Sequence, residues 1–347
     1  MVNNDKKFHQ LRLASQIKVG DKFDINPEFV KIGGVLVATL GNLSVAIGRA
    51  KSRKSFSASI LTAAVLNADG RALNYNSVLP QQVKRILFAD TEQSGYHCSA
   101  VLSRILKLAS LPPDVHPDTL EFVSLRRYSP MERIGIIQDA IESTEGLCLV
   151  VIDGIRDLVN DINDSSESNG ITNLLMKWSE EHNLHIHCIL HQNKTDLHAR
   201  GHLGSELTNK AESVLEVLKE KEVDRSIVKP VYCRNPEFEA FAFYVDEDGV
   251  PCIDESYIPD EGKGKARFTY ESLTEADHRK VLEIVFENSA SWGYSDLIER
   301  IKMEYSRVLP EPLGENKAKS VKVFLQNKRM IIQQDNKKYV FNAGFVF

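Results

Sequence analysis

Short apolar runs of strand length alternate with amphipathic segments of helical length through the first 250 residues. The strand-like runs include Arg85–Ala89 and Leu147–Ile152, and the longer segments include Phe56–Leu66 and Ile171–His182. Strands that alternate with helices of about 10–15 residues are typical of parallel βαβ units. Uninterrupted apolar runs indicate strands covered on both faces. The pattern therefore predicts an α/β fold with a mainly parallel sheet.

The same pattern predicts further elements around this core. A Gly-Asn pair between two apolar runs predicts a hairpin, and later strands are expected to extend the sheet in antiparallel fashion. The hairpin strands are Val35–Leu40 and Leu43–Ile47, the further helices are Ser99–Leu108 and Met131–Ser143, and the further strands are Ile186–Leu190, Ser226–Cys233 and Ala240–Val245.

A polar, glycine-rich stretch that begins at Pro259 marks a linker, and the pattern changes after it. Three helical segments are followed by two short strands, which is the order of a winged helix-turn-helix module. The predicted helices are 279–288, 295–305 and 316–326, and the strands are 329–334 and 338–341. The predicted organisation is an N-terminal extension (1–30), an α/β core (31–258), a linker (259–273) and a winged helix (274–347).

Composition limits the class of protein. The chain has 347 residues, 42% of them hydrophobic and 26% charged, which excludes a disordered or collagen-like chain. No apolar run reaches the roughly 18 residues that span a bilayer, and the five cysteines are scattered without a C-x-x-C pair. We expect a cytoplasmic protein with reduced thiols.

Charge is unevenly distributed behind a formal net charge of -5. Residues 315–338 carry seven cations against two acidic residues, a balance of +5. In a winged helix, these positions form the third helix, which enters the major groove, and the wing, which contacts phosphates. A solvated helix face or a protein-binding surface is the alternative. The predicted DNA contacts are Lys317, Lys319, Lys322, Lys328, Arg329, Lys337 and Lys338.

A basic segment lies between a predicted strand and the helix Phe56–Leu66. It nearly matches G-x-x-x-x-G-K-[ST], in which backbone N–H groups cradle phosphates, the lysine reaches them and the hydroxyl binds Mg²⁺. Four cations lie within eight residues here, and they repel one another unless an anion or solvent relieves them. An exposed basic turn is the alternative. The predicted phosphate-binding residues are Gly48, Arg49, Ala50, Lys51, Ser52, Arg53, Lys54, Ser55 and Phe56.

This segment lacks the second glycine of the motif, because Arg53 stands in its place. We expect Arg53 to have helical φ/ψ at the start of the first turn, where a side chain is not forbidden. Nucleotide binding would then survive the substitution, whereas hydrolysis is less certain.

Carboxylates follow two of the predicted strands. Asp153 ends the strand Leu147–Ile152 in the manner of a Walker B residue, which holds Mg²⁺ through its water shell. Glu92 and, as second choice, Asp90 follow the strand Arg85–Ala89, where a carboxylate can activate the attacking water. A capping role for Asp153 and solvated carboxylates at a strand end are the alternatives.

His191 and Gln192 end the next strand, from which a polar side chain can reach the γ-phosphate and report its loss to the loop Lys194–Glu206. His185, His187 and His191 also share one strand face. A metal site on that face is conceivable, but no acidic or cysteine partner is spaced to complete it.

Together, the ordered motifs Gly48…Lys54-Ser55, Asp90-Thr-Glu92, Val151-Ile-Asp153 and His191-Gln192 resemble the RecA-like branch of P-loop ATPases. The pattern is similar to that of hexameric replicative helicases of small plasmids and related ATPases of mobilisable elements. The resemblance implies ATP and Mg²⁺ as cofactors, DNA as a partner, a hexameric ring, Glu92 as catalytic base, Asp153 as Walker B residue, and His191 or Gln192 as γ-phosphate sensor.

Two functional hypotheses follow. The first is an ATPase, with possible helicase activity, that works on DNA in replication or mobilisation of a plasmid or mobile element. The second is a DNA-binding regulator that binds nucleotide with little or no turnover, and Arg53 is the residue that favours it.

Overall fold

The computed structural model describes residues 2–22, 26–80, 84–192, 199, 201–220, 222–259, 270, 273, 275–309, 312–334 and 336–344. The chain divides into two units, residues 1–259 and residues 260–347. Among the described residues, no helix has the length and apolar character required to cross a bilayer.

A mixed sheet forms the centre of the first unit and has the order β13-β12-β11-β10-β3-β9-β8-β6-β7. The run from β10 to β7 is parallel. β11 and β12 extend it in antiparallel fashion, as predicted, and β13 continues that extension. Its strands are β3 (Leu43–Gly48), β6 (Arg85–Asp90), β7 (Leu120–Ser124), β8 (Leu147–Asp153), β9 (His185–His191), β10 (Ser213–Lys219), β11 (Ser226–Cys233), β12 (Phe241–Val245) and β13 (Pro251–Ile253).

Helices cover both faces of this sheet, because successive strand residues point to opposite sides. In β6, Ile86 and Phe88 join one apolar core, whereas Leu87 and Ala89 join the other. The first core is covered by α2 (Lys54–Leu66) and α3 (Gly95–Leu108), and the second by α4 (Pro130–Ser143), α5 (Ser165–Glu181) and α6 (Gly201–Lys210). The α/β prediction is confirmed.

A second, four-stranded antiparallel sheet corrects the predicted hairpin. Its order is β2-β1-β5-β4, so β2 pairs with β1 while β3 enters the central sheet beside β9. All six residues of β3 are buried, which requires neighbours on both sides and both faces. The strands of this sheet are β1 (Glu28–Ile32), β2 (Val35–Thr39), β4 (Arg71–Ala72) and β5 (Tyr75–Ser77).

Several elements escaped the sequence pattern. The polar helix α1 (Val2–Ala14) lies within the predicted N-terminal extension. The strands that were not predicted are β1, β4, β5, β7, β10 and β13. Helix α5 begins six residues before its predicted start because the Asp164 side chain caps it by accepting a hydrogen bond from the Glu167 N–H.

The described residues of the second unit form three helices followed by a two-stranded hairpin, which is the predicted order. Its apolar core includes Leu282, Ile301, Tyr305 and Leu325 from the helices and Tyr339 from the hairpin. The elements are α7 (Glu275–Val285), α8 (Tyr294–Val308), α9 (Glu315–Asn327), β14 (Ile331–Gln333) and β15 (Tyr339–Phe341).

Candidate functional site

The carboxyl ends of four parallel strands bring the predicted site residues together. Gly48 is the register partner of His191, and Asp90 is the register partner of Asp153. A cavity of about 400 Å³ opens at this edge. The predicted residues that line it are Lys51, Arg53, Lys54, Ser55, Phe56, Glu92, Asp153 and His191.

The segment 49–53 joins β3 to α2 as a loop, and the residue before it must be glycine. A Cβ atom at Gly48 would collide with the Val217 carbonyl oxygen and the Ser52 hydroxyl. Arg49, Ala50 and Lys51 are exposed, and Ser52 is buried. The first turn of α2 receives no side-chain cap, and its residues Lys54, Ser55 and Phe56 line the cavity. An uncapped helix N-terminus at a cavity is suited to bind an anion.

The predicted helical conformation of Arg53 is wrong. Arg53 precedes α2 with φ 72° and ψ 32°, in the left-handed region that glycine adopts without strain and that costs other residues about 1–2 kcal/mol. Lys51 also has a positive φ, of 66°. Position 53 therefore has a backbone conformation that favours glycine, although arginine stands there.

Lys54 is held inside the loop. Its Nζ donates to the carbonyl oxygens of Gly48 and Arg49 at 3.0 Å each and lies 3.2 Å from His191 Nδ1. Burial lowers the pKa of Lys54 to about 8, and the nearby carboxylates of Asp153 and Glu92 limit that fall. The ammonium group is thus desolvated and positioned before any phosphate arrives.

Asp153 has the properties of a metal-shell carboxylate. It is buried, and its Oδ2 has no hydrogen-bond partner among the residues that the structure describes. Burial, followed by the charge of Asp90, raises the pKa of Asp153 to about 7, while a hydrogen bond from Ser55 opposes the rise. The charge of Lys54 also opposes the rise, and the predicted Mg²⁺ ligands Ser55 and Asp153 are in contact. These two residues fit a hydrated Mg²⁺ ion.

Glu92 lies beside His191 at the cavity mouth. Its Oε1 is 3.5 Å from His191 Nε2, and this contact is the main cause that lowers the pKa of Glu92. Because the Lys54 ammonium can only donate to His191 Nδ1, the imidazole proton is on Nε2 and faces Glu92. Lys54, His191 and Glu92 therefore form one ordered chain with an ionised carboxylate at its end.

The turn that carries Glu92 is fixed by its neighbours. Thr91 donates its hydroxyl to the carbonyl oxygens of Asp153 and Gly154 at 3.0 and 2.9 Å. Gly154 has φ 98°, and a Cβ atom there would collide with Thr91 Oγ1 and Glu92. The residue after β8 must therefore be glycine for Glu92 to take its place.

Asp90, the second choice for the base, has a different role. Its Oδ1 accepts from the backbone N–H groups of Glu92 and Gln93 at 3.1 and 2.8 Å, and its Oδ2 accepts from the Gln93 side chain at 2.6 Å. Asp90 is fully buried, and burial raises its pKa. It shapes the turn that presents Glu92 instead of facing the cavity.

Gln192 reaches past β3 to β10. Its buried side chain donates to Glu216 Oε1 on β10 at 2.6 Å, and its backbone N–H donates to the Gly48 carbonyl at 3.1 Å. Of the two predicted sensor residues, His191 therefore lines the cavity and Gln192 does not. The predicted loop 194–206 lies outside the described residues at 194–198 and 200, and α6 occupies its second half.

Three residues of the site were missed by sequence reasoning. Arg104 on α3 lies over the Phe56 ring at 3.5 Å from its centroid, and both Arg104 and Gln93 line the cavity. Asp224, between β10 and β11, binds the Arg53 guanidinium. Arg104 and Asp224 are distant in sequence from every motif, so no local signal identifies them, whereas Gln93 directly follows Glu92.

The histidines of β9 form a hydrogen-bonded network. Ser44 Oγ lies 2.7 Å from both His185 Nε2 and His187 Nδ1, and His185 Nδ1 lies 2.8 Å from the Thr39 carbonyl oxygen. Burial lowers their pKa values to about 4 for His185 and about 3 for His187. In the described part of the chain, no group of three or more His, Cys, Asp or Glu residues is placed to hold a metal ion.

The predicted DNA contacts in the second unit differ in exposure. Lys322 is buried, with its Nζ 4.6 Å from the Tyr339 ring centroid and 2.7 Å from Gln326 Oε1, so it packs the hairpin onto α9 instead of facing solvent. Lys319 is half-buried and pairs with Glu315 at 2.7 Å. The predicted contacts that are exposed are Lys317, Lys328, Arg329, Lys337 and Lys338.

One protein-family model matches the part of the chain that carries the cavity-lining residues. Residues 30–196 match the family described as AAA domain. No curated protein matches the chain significantly in sequence. A solved structure to which the chain is similar is entitled "Crystal structure of the RadB recombinase", at 15% identity over 60% of this chain and 90% of that chain, with a TM-score of 0.43. The matched residues include the loop 49–53, Lys54, Glu92, Asp153 and His191.

Proposed function

We propose that this protein binds and hydrolyses ATP at the cavity formed by the loop 49–53. The observation that carries the proposal is the convergence of Lys54, Asp153 and Glu92 on one cavity. Lys54 would neutralise phosphate charge, and the uncapped start of α2 would donate backbone N–H groups to phosphate oxygens. Ser55 and Asp153 would hold Mg²⁺, which supplies charge neutralisation at the phosphates when bound.

Glu92 is the proposed general base. Its carboxylate is ionised, because His191 lowers its pKa, and it lines the cavity that Lys54 also lines. In phosphoryl transfer, positioning and charge stabilisation account for most of the catalysis, and a base orients the attacking water. His191, between Lys54 and Glu92, is suited to respond to the γ-phosphate.

We further propose that this activity serves DNA, in a cytoplasmic ring, most simply a hexamer, of the replicative helicase type of plasmids or mobile elements. The resemblance of the motifs to those of plasmid and mobile-element ATPases supports both the ring and the role in a plasmid or mobile element. The proposed DNA contacts are the exposed cations of α9 and of the turns beside β14 and β15, with the second unit acting as a winged helix. Lys322 is left out because it is buried.

A nucleotide-binding regulator without turnover is the second candidate, and the left-handed Arg53 favours it. A side chain at this position narrows the space in which phosphates approach the loop. The two candidates separate on turnover, because a regulator would assemble on nucleotide without releasing phosphate.

Steady-state phosphate release with and without single-stranded DNA tests the proposal. We expect DNA-stimulated turnover in the parent. Glu92→Gln should retain ATP binding and lose about 10²–10⁴-fold in kcat, the usual contribution of a general base. Lys54→Ala should bind ATP at least about tenfold more weakly, because a charged hydrogen bond contributes about 1.5–3 kcal/mol.

Lys177→Ala, on the exposed face of α5, is the matched control and should behave as the parent. A Lys54→Ala protein with parental binding and turnover would remove nucleotide from this cavity. Binding without turnover in the parent would favour the regulator.

A further inference from the structure

The hairpin of β10 and β11 contacts the phosphate loop, which we define as residues 48–53, at three points. The Val217 carbonyl oxygen lies within collision distance of the position that a Cβ atom of Gly48 would take, and the buried Ser226 hydroxyl donates to the Ser52 carbonyl at 3.3 Å. The third point is Asp224, at the turn of the hairpin. A loop that lacks one glycine is therefore supported along its length by one neighbouring element.

Arg53 and Asp224 are joined by two hydrogen bonds. Arg53 Nη1 donates to the Asp224 carbonyl oxygen at 2.6 Å, and Nη2 donates to Asp224 Oδ2 at 2.8 Å. Lys219 Nζ lies 2.7 Å from the other carboxylate oxygen. Both cations lower the pKa of Asp224, Lys219 foremost. The guanidinium fork is thereby fixed in direction as well as paired in charge.

This pairing coincides with the strained residue of the loop. Arg53 has φ 72°, and a side-chain-bearing residue in that conformation relaxes unless its surroundings hold it. A glycine needs no such support, because left-handed and right-handed φ values cost it about the same. The side chain that creates the strain is the one that Asp224 holds.

We propose that Asp224 is a positioning residue for the phosphate loop, which holds Arg53 in the left-handed conformation and so replaces the function of the missing second glycine. The inference rests on the proposed nucleotide site. It makes the hairpin turn, which no sequence motif marks, part of that site. Asp224 acts only through Arg53, so its importance disappears when position 53 is glycine.

A double-mutant cycle measured by fluorescence titration with Mg²⁺ and mant-ATP tests this coupling. Asp224→Ala should weaken binding about five- to thirtyfold, the range that corresponds to the cost of a left-handed side-chain-bearing residue. Arg53→Gly gives the reference affinity for the double variant, because it removes both the left-handed side chain and a cation that lines the cavity. Arg53→Gly/Asp224→Ala should bind as Arg53→Gly does, because glycine holds the loop shape unaided.

Glu222→Ala is the matched control, since Glu222 is exposed in the same turn and carries the same charge. It should bind as the parent, and a Tm measurement should show that every variant is folded at the temperature of the titration. Asp224→Ala binding within twofold of a parent that binds would overturn the positioning role alone. A loss that persists undiminished in the Arg53→Gly background would also overturn it. A parent that does not bind mant-ATP would overturn the nucleotide site and this inference together.

Discussion

At the scale of the residue, Lys54 is the group whose state decides phosphate binding. Its Nζ is surrounded by two carbonyl oxygens and His191, and burial brings its pKa to about 8. A phosphate that enters the cavity meets a desolvated ammonium whose Coulomb attraction is weakly screened. The same burial makes its charge sensitive to mildly alkaline pH.

We expect ATP affinity to fall about tenfold between pH 7 and pH 9, because Lys54 is protonated well below its pKa and about nine-tenths neutral one pH unit above it. The sign follows from the lowered pKa, since the neutral amine attracts no phosphate. Equilibrium titration across this range measures the effect. Lys54→Arg should show no pH dependence of ATP affinity in this range, because a guanidinium does not titrate there. An ATP affinity that is independent of pH in the parent would contradict a lowered pKa of Lys54.

The residues of the cavity were predictable only where they closely follow a strand. Lys54, Asp153 and Glu92 each stand near a strand end in a recognisable order, and parallel strands bring such ends together. Arg104 and Asp224 reach the same site from a helix face and from a hairpin turn. Their places depend on contacts between distant segments, which no spacing in the sequence encodes.

At the scale of the element, a buried polar network joins β3 to β9 at the middle of the sheet. The Thr39 carbonyl only accepts, so His185 carries its proton on Nδ1 and accepts the Ser44 hydroxyl at Nε2. Ser44 has a single hydrogen, so His187 donates to it from Nδ1. Both imidazoles are therefore neutral in the folded protein. Glu212 Oε1 lies 3.6 Å from His185 Nδ1.

Stability should fall as pH drops below about 6.5. The unfolded chain protonates both imidazoles there, whereas the folded protein protonates His185 only near pH 4 and His187 near pH 3. The loss between pH 7.5 and pH 5.0 is about 2 kcal/mol for each histidine. The raised pKa of Glu212 opposes part of this loss near pH 5. Urea unfolding at pH 7.5 and 5.0 measures the difference.

His187→Gln should reduce this pH dependence, whereas the control His116→Gln, at an exposed position, should keep it in full. An unchanged pH dependence in His187→Gln would show that another group is responsible.

At the scale of the whole molecule, the two units differ in the sign of their net charge. Residues 274–347 carry 12 cations and 10 acidic residues, so they contribute +2 to a chain whose total is -5. The structure narrows the basic surface of the second unit further, because Lys322 is buried and Lys319 is paired. DNA binding, if it occurs at this unit, must use the remaining exposed cations.

Replacing Lys317, Lys328 and Lys337 together with glutamine should weaken DNA binding. The slope of log K against log salt should become shallower by about 0.9 for each phosphate that the variant no longer neutralises. Titration at several salt concentrations measures the slope. Lys280→Gln, on the exposed face of α7, should leave it unchanged. Unaltered affinity and slope in the triple variant would remove DNA from this surface.

By itself, the sequence determined the alternation of strands and helices, the order of the motifs and the basic character of the last helix and hairpin, because each of these depends on neighbours within a few residues. Only the tertiary structure decided that β2 and β3 belong to different sheets and that Lys322 is buried. It also decided that Arg53 has a left-handed conformation and binds Asp224. Those outcomes depend on which distant segment packs against each residue, and side-chain burial and backbone strain exist only once that packing has formed.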